Sequence, residues 1–210
     1  MADTPDTSVD PSQNNHFKIE LRKELRQRRR ALTPAQQNQS SSFALRHLLQ
    51  FAPFMRGAHI GLYLANDGEL DPSCIAKQLW QMNKYCYLPV MRPGANRELW
   101  FLEYRPDTVL TPNRFGIPEP DHRSARRLPT YLLDVVLMPL VGFDRTGARL
   151  GMGGGFYDTT FAFKRTKPKG KPLLIGLAHS CQEADSIPLE EWDIPLAAIA
   201  TEKEVIPINC

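Results

Sequence analysis

Residues 138–158 read MPLVGFDRTGARLGMGGGFYD, and the apolar run Asp134-Val135-Val136-Leu137-Met138 leads into them. That run is short and rich in β-formers, so it reads as a buried strand. Asp144-Arg145-Thr146-Gly147 places Asp first and Gly fourth, the preference of a type I turn. Arg149 follows, then four glycines in five positions, Gly151, Gly153, Gly154 and Gly155. Phe156, Tyr157 and Asp158 lead into Phe161-Ala162-Phe163, which reads as a short helix. A buried strand, a glycine loop and a helix start in that order are a unit of an α/β fold.

The same order can make an anion site. Glycines take positive φ and let backbone N–H groups approach a ligand closely. A helix start adds free N–H groups and positive potential. Arg149 supplies a planar fork suited to phosphate oxygens. Asp158 cannot bind phosphate itself, so a carboxylate there points to Mg²⁺ between protein and polyphosphate. GxxxxGK[ST] is absent, and GxGxxG fails because Phe156 stands at its last glycine. A solvated spacer is the competing reading, but Leu150, Phe156 and Tyr157 flank the run and serine is missing from it. A ligand loop fits better.

The 210 residues are 42% hydrophobic and 23% charged, enough for one domain with a sizeable core. No apolar run approaches bilayer length and the N-terminus lacks a signal-peptide core, which predicts a cytoplasmic protein without membrane contact. Cys74, Cys86, Cys181 and Cys210 show no CxxC pair, and the five histidines show no metal spacing. No GxSxG-type nucleophile motif is present, so the chemistry is expected to proceed without a covalent enzyme intermediate. A net charge of +3 does not imply nucleic acid. Basic residues do cluster at 18–30 and 164–171, as sites for a polyanion or as solvated faces. A nucleic-acid binder is disfavoured because no aromatic interleaving accompanies them.

Along the chain, residues 1–15 are polar and read as a disordered tail, with one α/β domain over 16–210. A helix is predicted from Phe17, with Leu21, Leu25 and Leu32 on one stripe and Lys18 and Arg22 on a neighbouring face. Thr33-Pro34-Ala35-Gln36 reads as a capping box opening a helix to about Leu49 that buries Phe43, Leu45, Leu48 and Leu49. Strands are predicted at 59–65, 85–90, 98–104, 173–178 and 197–201, and a helix from Asp71-Pro72 to about Met82. Glu69 falls at a strand-to-helix junction, where open α/β sheets place ligands. Residues 106–130 read as a loop in which Phe115 either walls a pocket for a flat ligand or pins the loop. The alternation predicts a mostly parallel sheet with helices on both faces, a single three-layer domain.

These residues resemble the 5-formyltetrahydrofolate cyclo-ligase (5,10-methenyltetrahydrofolate synthetase) family. The resemblance is carried by Lys18-x-x-Leu21-Arg22, Leu64 with Asp67-Gly68-Glu69-Leu70-Asp71, and Tyr87-Leu88-Pro89. It continues through Phe115-Gly116-Ile117-Pro118-Glu119-Pro120, the segment from Phe143-Asp144 to Asp158, and Ile187-Pro188 through Asp193. It implies ATP-dependent closure of 5-formyltetrahydrofolate to 5,10-methenyltetrahydrofolate, with release of ADP and phosphate. ATP would lie on Lys18, Arg22, Arg149, Leu150, Gly151, Met152, Gly153, Gly154, Gly155, Phe156 and Tyr157. Asp158 and Asp193 would hold Mg²⁺, and Leu64, Glu69, Phe115 and Tyr157 would contact the folate. The expected partner is this small molecule, with or without a polyglutamate tail, acting on a monomer. A folate- or nucleotide-binding protein on the same scaffold without turnover is the alternative. The chain departs from the family at Thr159, where Arg is frequent, and at Ala197, where Asp is common.

Overall fold

The computed structural model describes residues 11–113 and 116–208. The first half holds α1 (Pro11–Arg30), α2 (Pro34–Gln50), α3 (Ala52–Met55), β1 (His59–Gly61), α4 (Ser73–Gln81), β2 (Tyr85–Met91) and β3 (Leu99–Tyr104). Next come β4 (Leu110–Pro112), β5 (Pro118–Pro120), β6 (Arg127–Leu128), β7 (Val135–Pro139), β8 (Gly142–Phe143) and β9 (Arg149–Leu150). The chain ends with α5 (Phe156–Thr160), β10 (Leu173–Leu177), β11 (Ala198–Ala200) and β12 (Val205–Pro207).

Eight strands form the main sheet in the order β12-β11-β10-β7-β1-β2-β3-β6. The five from β11 to β2 run parallel, as the alternation of strands and helices predicts. β12 pairs antiparallel with β11, β3 antiparallel with β2 and β6 antiparallel with β3, so that β12 and β6 are the edge strands. Short connections explain β3 and β12, because a parallel crossover needs a dozen or more residues. β7 shows why its sequence is continuously apolar. Val135 and Leu137 join the core under α2 and α4, while Val136 and Met138 join the core under Phe161 on the other face.

The chain runs outward from β1 to β2, then returns to place β7 on the other side of β1. That reversal is a topological switch point at the carboxyl ends of β1 and β7, where sheets of this kind form their ligand crevice. α1 packs there, with Leu21 and Leu25 against Val141, Ala148, Leu150 and Ile187. A Cβ at Gly142 would stand 2.2 Å from Leu25 Cδ1, so only glycine lets the helix come this close.

Four expectations need correction. α1 begins at Pro11, so residues 11–15, assigned to the tail, are helical; Pro is well suited to a first helical turn. Phe43 is 40% exposed, whereas Leu48 is buried and Leu45 packs on the core as expected, with Ser40, Ser41 and Ala44 completing the buried face of α2. β1 is only three residues long, although Leu62 N–H still reaches Tyr87 O at 2.7 Å. The 106–130 segment contains β4 paired with β5, and β6 on the sheet edge. Proline is tolerated at strand edges, which is why so proline-rich a segment can still pair.

Candidate active site

β8 and β9 form a two-stranded hairpin closed by Asp144–Gly147. The expected turn is present, with Gly147 N–H donating to Asp144 O at 3.1 Å. Asp144 does more than turn the chain. It is buried, and its Oδ1 accepts from Thr146 N–H (2.9 Å), Thr146 Oγ1 (2.6 Å) and Ala148 N–H (3.2 Å). Its Oδ2 accepts from Ile187 N–H at 2.8 Å, tying the hairpin to the acidic turn that follows Ile187.

The hairpin delivers the chain to the glycine loop. Gly153 and Gly155 have φ of +90° and +67°, a region that side chains with a Cβ rarely adopt. Arg22 of α1 lies along this loop, its Nε donating to Gly151 O at 2.8 Å. α5 is shorter than the sequence suggests, five residues with no side-chain cap, and Ala162–Arg165 is a separate 3-10 turn. So brief a helix sums few peptide dipoles, so the loop's own N–H groups and nearby cations carry the positive potential.

Four further residues of the phosphate and metal set converge beside the loop. Arg149 is nearly buried and ion-pairs with Asp158. Asp158 Oδ1 also accepts from Ile194 N–H at 3.3 Å, which brings it beside Asp193. Asp193 Oδ2 accepts from Glu190 N–H at 2.9 Å, and Glu190 pairs with Lys18 at 2.9 Å. Each protein cation here already holds a protein oxygen. Among the described residues, no group of three or more His, Cys, Asp or Glu side chains stands ready for a metal.

The second half of the site follows β1. Leu64 and Tyr157 are partly buried. Glu69 is largely enclosed and accepts from Asn66 N–H at 3.1 Å. Burial pushes its carboxyl above the ordinary range, against the Asn66 hydrogen bond and the nearby Arg29 charge. Burial likewise pushes the Tyr157 phenol up, with the Glu69 charge adding to it. Tyr63 feels the same Glu69 charge and donates to Leu70 O. Glu69 therefore lies close enough to both tyrosines for its charge to act on each phenol. Phe115 lies outside the described residues.

Sequence reading missed Tyr63, Asp144, Glu190, Arg29 and His179. His179, just past β10, is 1% exposed and neither ring nitrogen finds a hydrogen-bond partner among the described residues. The Gly68 backbone comes near enough to favour a protonated ring without satisfying either nitrogen. Burial dominates and lowers its pKa.

The model of the 5-formyltetrahydrofolate cyclo-ligase family matches residues 14–202. The chain is 43% identical over 184 residues to the 5-formyltetrahydrofolate cyclo-ligase of Escherichia coli K12, covering 86% of this chain and 98% of that one. It is 40% identical over 183 residues to the Haemophilus influenzae cyclo-ligase, covering 87% and 96%. Its fold is similar to the solved structure of Aquifex aeolicus 5,10-methenyltetrahydrofolate synthetase, with a TM-score of 0.76 at 28% identity over 92% of this chain and 94% of that one. The glycine loop with its cations and the enclosed carboxyl after β1 thus belong to a member of the 5-formyltetrahydrofolate cyclo-ligase family.

Proposed function

We propose that this chain closes 5-formyltetrahydrofolate to 5,10-methenyltetrahydrofolate, using ATP and Mg²⁺ and releasing ADP and phosphate. One observation carries the reading. Tyr157 lies within reach of the Glu69 charge and its neighbour Asp158 contacts Arg149, so consecutive residues of α5 join the folate side to the phosphate side. The reaction needs such a junction, because the formyl oxygen must meet the γ-phosphoryl group.

A formamide carbon is a poor electrophile and its oxygen a poor leaving group. The formyl oxygen attacks the γ-phosphorus and ADP leaves with the electrons of the broken P–O bond. The N10 lone pair then bonds to the activated carbon, the C–O bond breaks, phosphate leaves with that oxygen, and N10 loses its proton. The protein's tasks are placement and charge neutralisation. Glu69 accepts hydrogen bonds from pterin N–H groups, with Leu64 and Tyr157 against the ring. Lys18, Arg22, Arg149 and the 151–155 backbone hold the phosphates. In doing so the cations exchange Glu190, Gly151 O and Asp158 for phosphate oxygens.

Asp158 and Asp193 suit Mg²⁺, which usually keeps several waters and takes one or two carboxylates plus substrate phosphates. Two carboxylates standing near Ile194, with no larger ligand cluster among the described residues, fit an ion arriving with the nucleotide. Bound there, Mg²⁺ supplies positive charge to the polyphosphate. The test is methenyl absorbance from purified protein given 5-formyltetrahydrofolate, appearing only with both ATP and Mg²⁺. Folate binding without absorbance would overturn the reaction and leave a binding protein on the same scaffold.

A further inference from the structure

The guanidinium of Arg29 is wholly buried on the crevice side of α1. Its Nε donates to Asp67 O at 2.9 Å, its Nη2 to Asp67 Oδ2 at 2.9 Å, and its Nη1 to Leu140 O at 3.2 Å. Nη1 also stands 3.8 Å from Glu69 Oε1. A single planar fork therefore hydrogen-bonds the turn after β1 and the carbonyl just past β7, and stands as a longer ion pair beside the carboxyl of Glu69. Arg26 and Arg30 add two further ion pairs to Asp67. Burial opposes ionisation of Asp67, but the hydrogen bonds from the three arginines outweigh it and hold its pKa below the ordinary value.

The turn needs holding. Asp67 and Gly68 are consecutive residues at φ +53° and +74°, and for Asp67 that conformation is uncommon. Glu69 closes the turn from inside by accepting Asn66 N–H. Loss of the outer grip would release Asp67 and, with it, the direction of the Glu69 carboxyl. Burying a cation with this many partners is stabilising only while all of them are present. A lysine at this place keeps the charge and loses the fork.

We infer that Arg29 is a positioning residue that sets Glu69 for the folate, so that α1 holds both halves of the site. Lys18 and Arg22 lie about 16 and 10 Å from Arg29 along the helix axis and serve the phosphate side. The inference rests on the proposed folate role of Glu69, and it predicts that the two ligands respond differently when Arg29 changes. A residue that mattered only for folding would disturb both alike.

The test uses Arg29→Lys, Asp67→Asn and Glu69→Gln in the full chain, with 5-formyltetrahydrofolate and ATP as separate probes. Arg29→Lys and Asp67→Asn should each weaken folate binding, and raise the folate KM, about tenfold, as loss of charge-assisted hydrogen bonds does. The ATP KM should stay within about twofold. Combined with Glu69→Gln, the Arg29→Lys loss should be much smaller than it is alone, since both act through one carboxyl. Equal rises in both KM values, unchanged folate affinity in a folded variant, or additive effects with Glu69→Gln would each overturn the inference. Should Arg29→Lys fail to fold, Asp67→Asn at its partly exposed position decides alone. Folate affinity measured by equilibrium dialysis without ATP keeps this test separate from turnover. A wild type that binds folate but makes no product removes the proposed reaction and leaves the Arg29 test intact.

Discussion

At the scale of single residues, the Arg149–Asp158 pair is where the chemistry and the resting structure meet. Arg149 is nearly buried and Asp158 half-buried, and each is the other's partner. Arg149→Ala should therefore do two things. It removes the proposed phosphate contact, for which a loss of roughly 1.5–3 kcal/mol in ATP use is expected. It also leaves Asp158 with only the 3.3 Å contact from Ile194 N–H. ATP kcat/KM is expected to fall by one to two orders of magnitude, and unchanged steady-state kinetics would remove Arg149 from the site. Asp158→Asn keeps the shape and can still accept from Ile194. It should lower kcat and raise the Mg²⁺ concentration needed for half-maximal rate, with little change in melting temperature. A variant that melts much earlier but keeps the wild-type Mg²⁺ titration would make Asp158 a structural partner of Arg149 only. Gly154 illustrates a different constraint, since an added Cβ would meet the Phe156 ring at 2.9 Å. Gly154→Val should displace that ring from the entry of α5.

At the scale of elements, legibility followed the range of the determining contacts. The capping box of α2 was readable because Thr33 and Gln36 satisfy each other across three residues, as the structure shows. The Asp144–Gly147 turn was readable for the same reason. β8 and β9 were not, because two-residue strands carry no periodicity to detect. Nor was the Arg29 grip, whose partner Asp67 lies 38 residues away. The basic run of α1 looked equally like a solvated face, and three-dimensional placement separates its residues. Arg28 pairs with Glu24 in solvent, whereas Arg22 lies on the glycine loop and Lys18 on Glu190. As the phosphate-side clamp, α1 can be tested by ligand-linked stabilisation. The Lys18→Ala/Arg22→Ala double variant should melt near the wild-type temperature without ligand and shift much less with ATP-Mg²⁺. Equal shifts in the two proteins would show that this face of α1 takes no part in binding nucleotide.

At the scale of the whole molecule, the crevice at the β1–β7 reversal determines which polar groups are left without water. His179 is the clearest case, fully enclosed, with neither ring nitrogen partnered among the described residues. Burial favours its neutral form, with Arg29 acting in the same direction and Glu202 and the Gly68 backbone acting against it. The folded pKa therefore lies below the ordinary 6.5. Well above pH 6.5 the ring is neutral in both states and adds no pH dependence. As pH falls below 6.5 the unfolded chain takes up a proton that the folded chain refuses, so stability is lost, at most about 1.4 kcal/mol per pH unit. Glu69 acts with the opposite sign, because its raised pKa lets the folded state gain protons first as the pH approaches 4.5. Between pH 6.5 and 5.5 the histidine should dominate, while nearer pH 4.5 relief at Glu69 offsets part of the loss. His179→Gln removes the titrating ring while keeping a polar group of similar length. Its melting temperature should fall less than that of wild type between pH 7.5 and 5.5. Parallel curves for the two proteins would mean that the ring is protonated in the fold at little cost, and that the crevice admits water as far as β10.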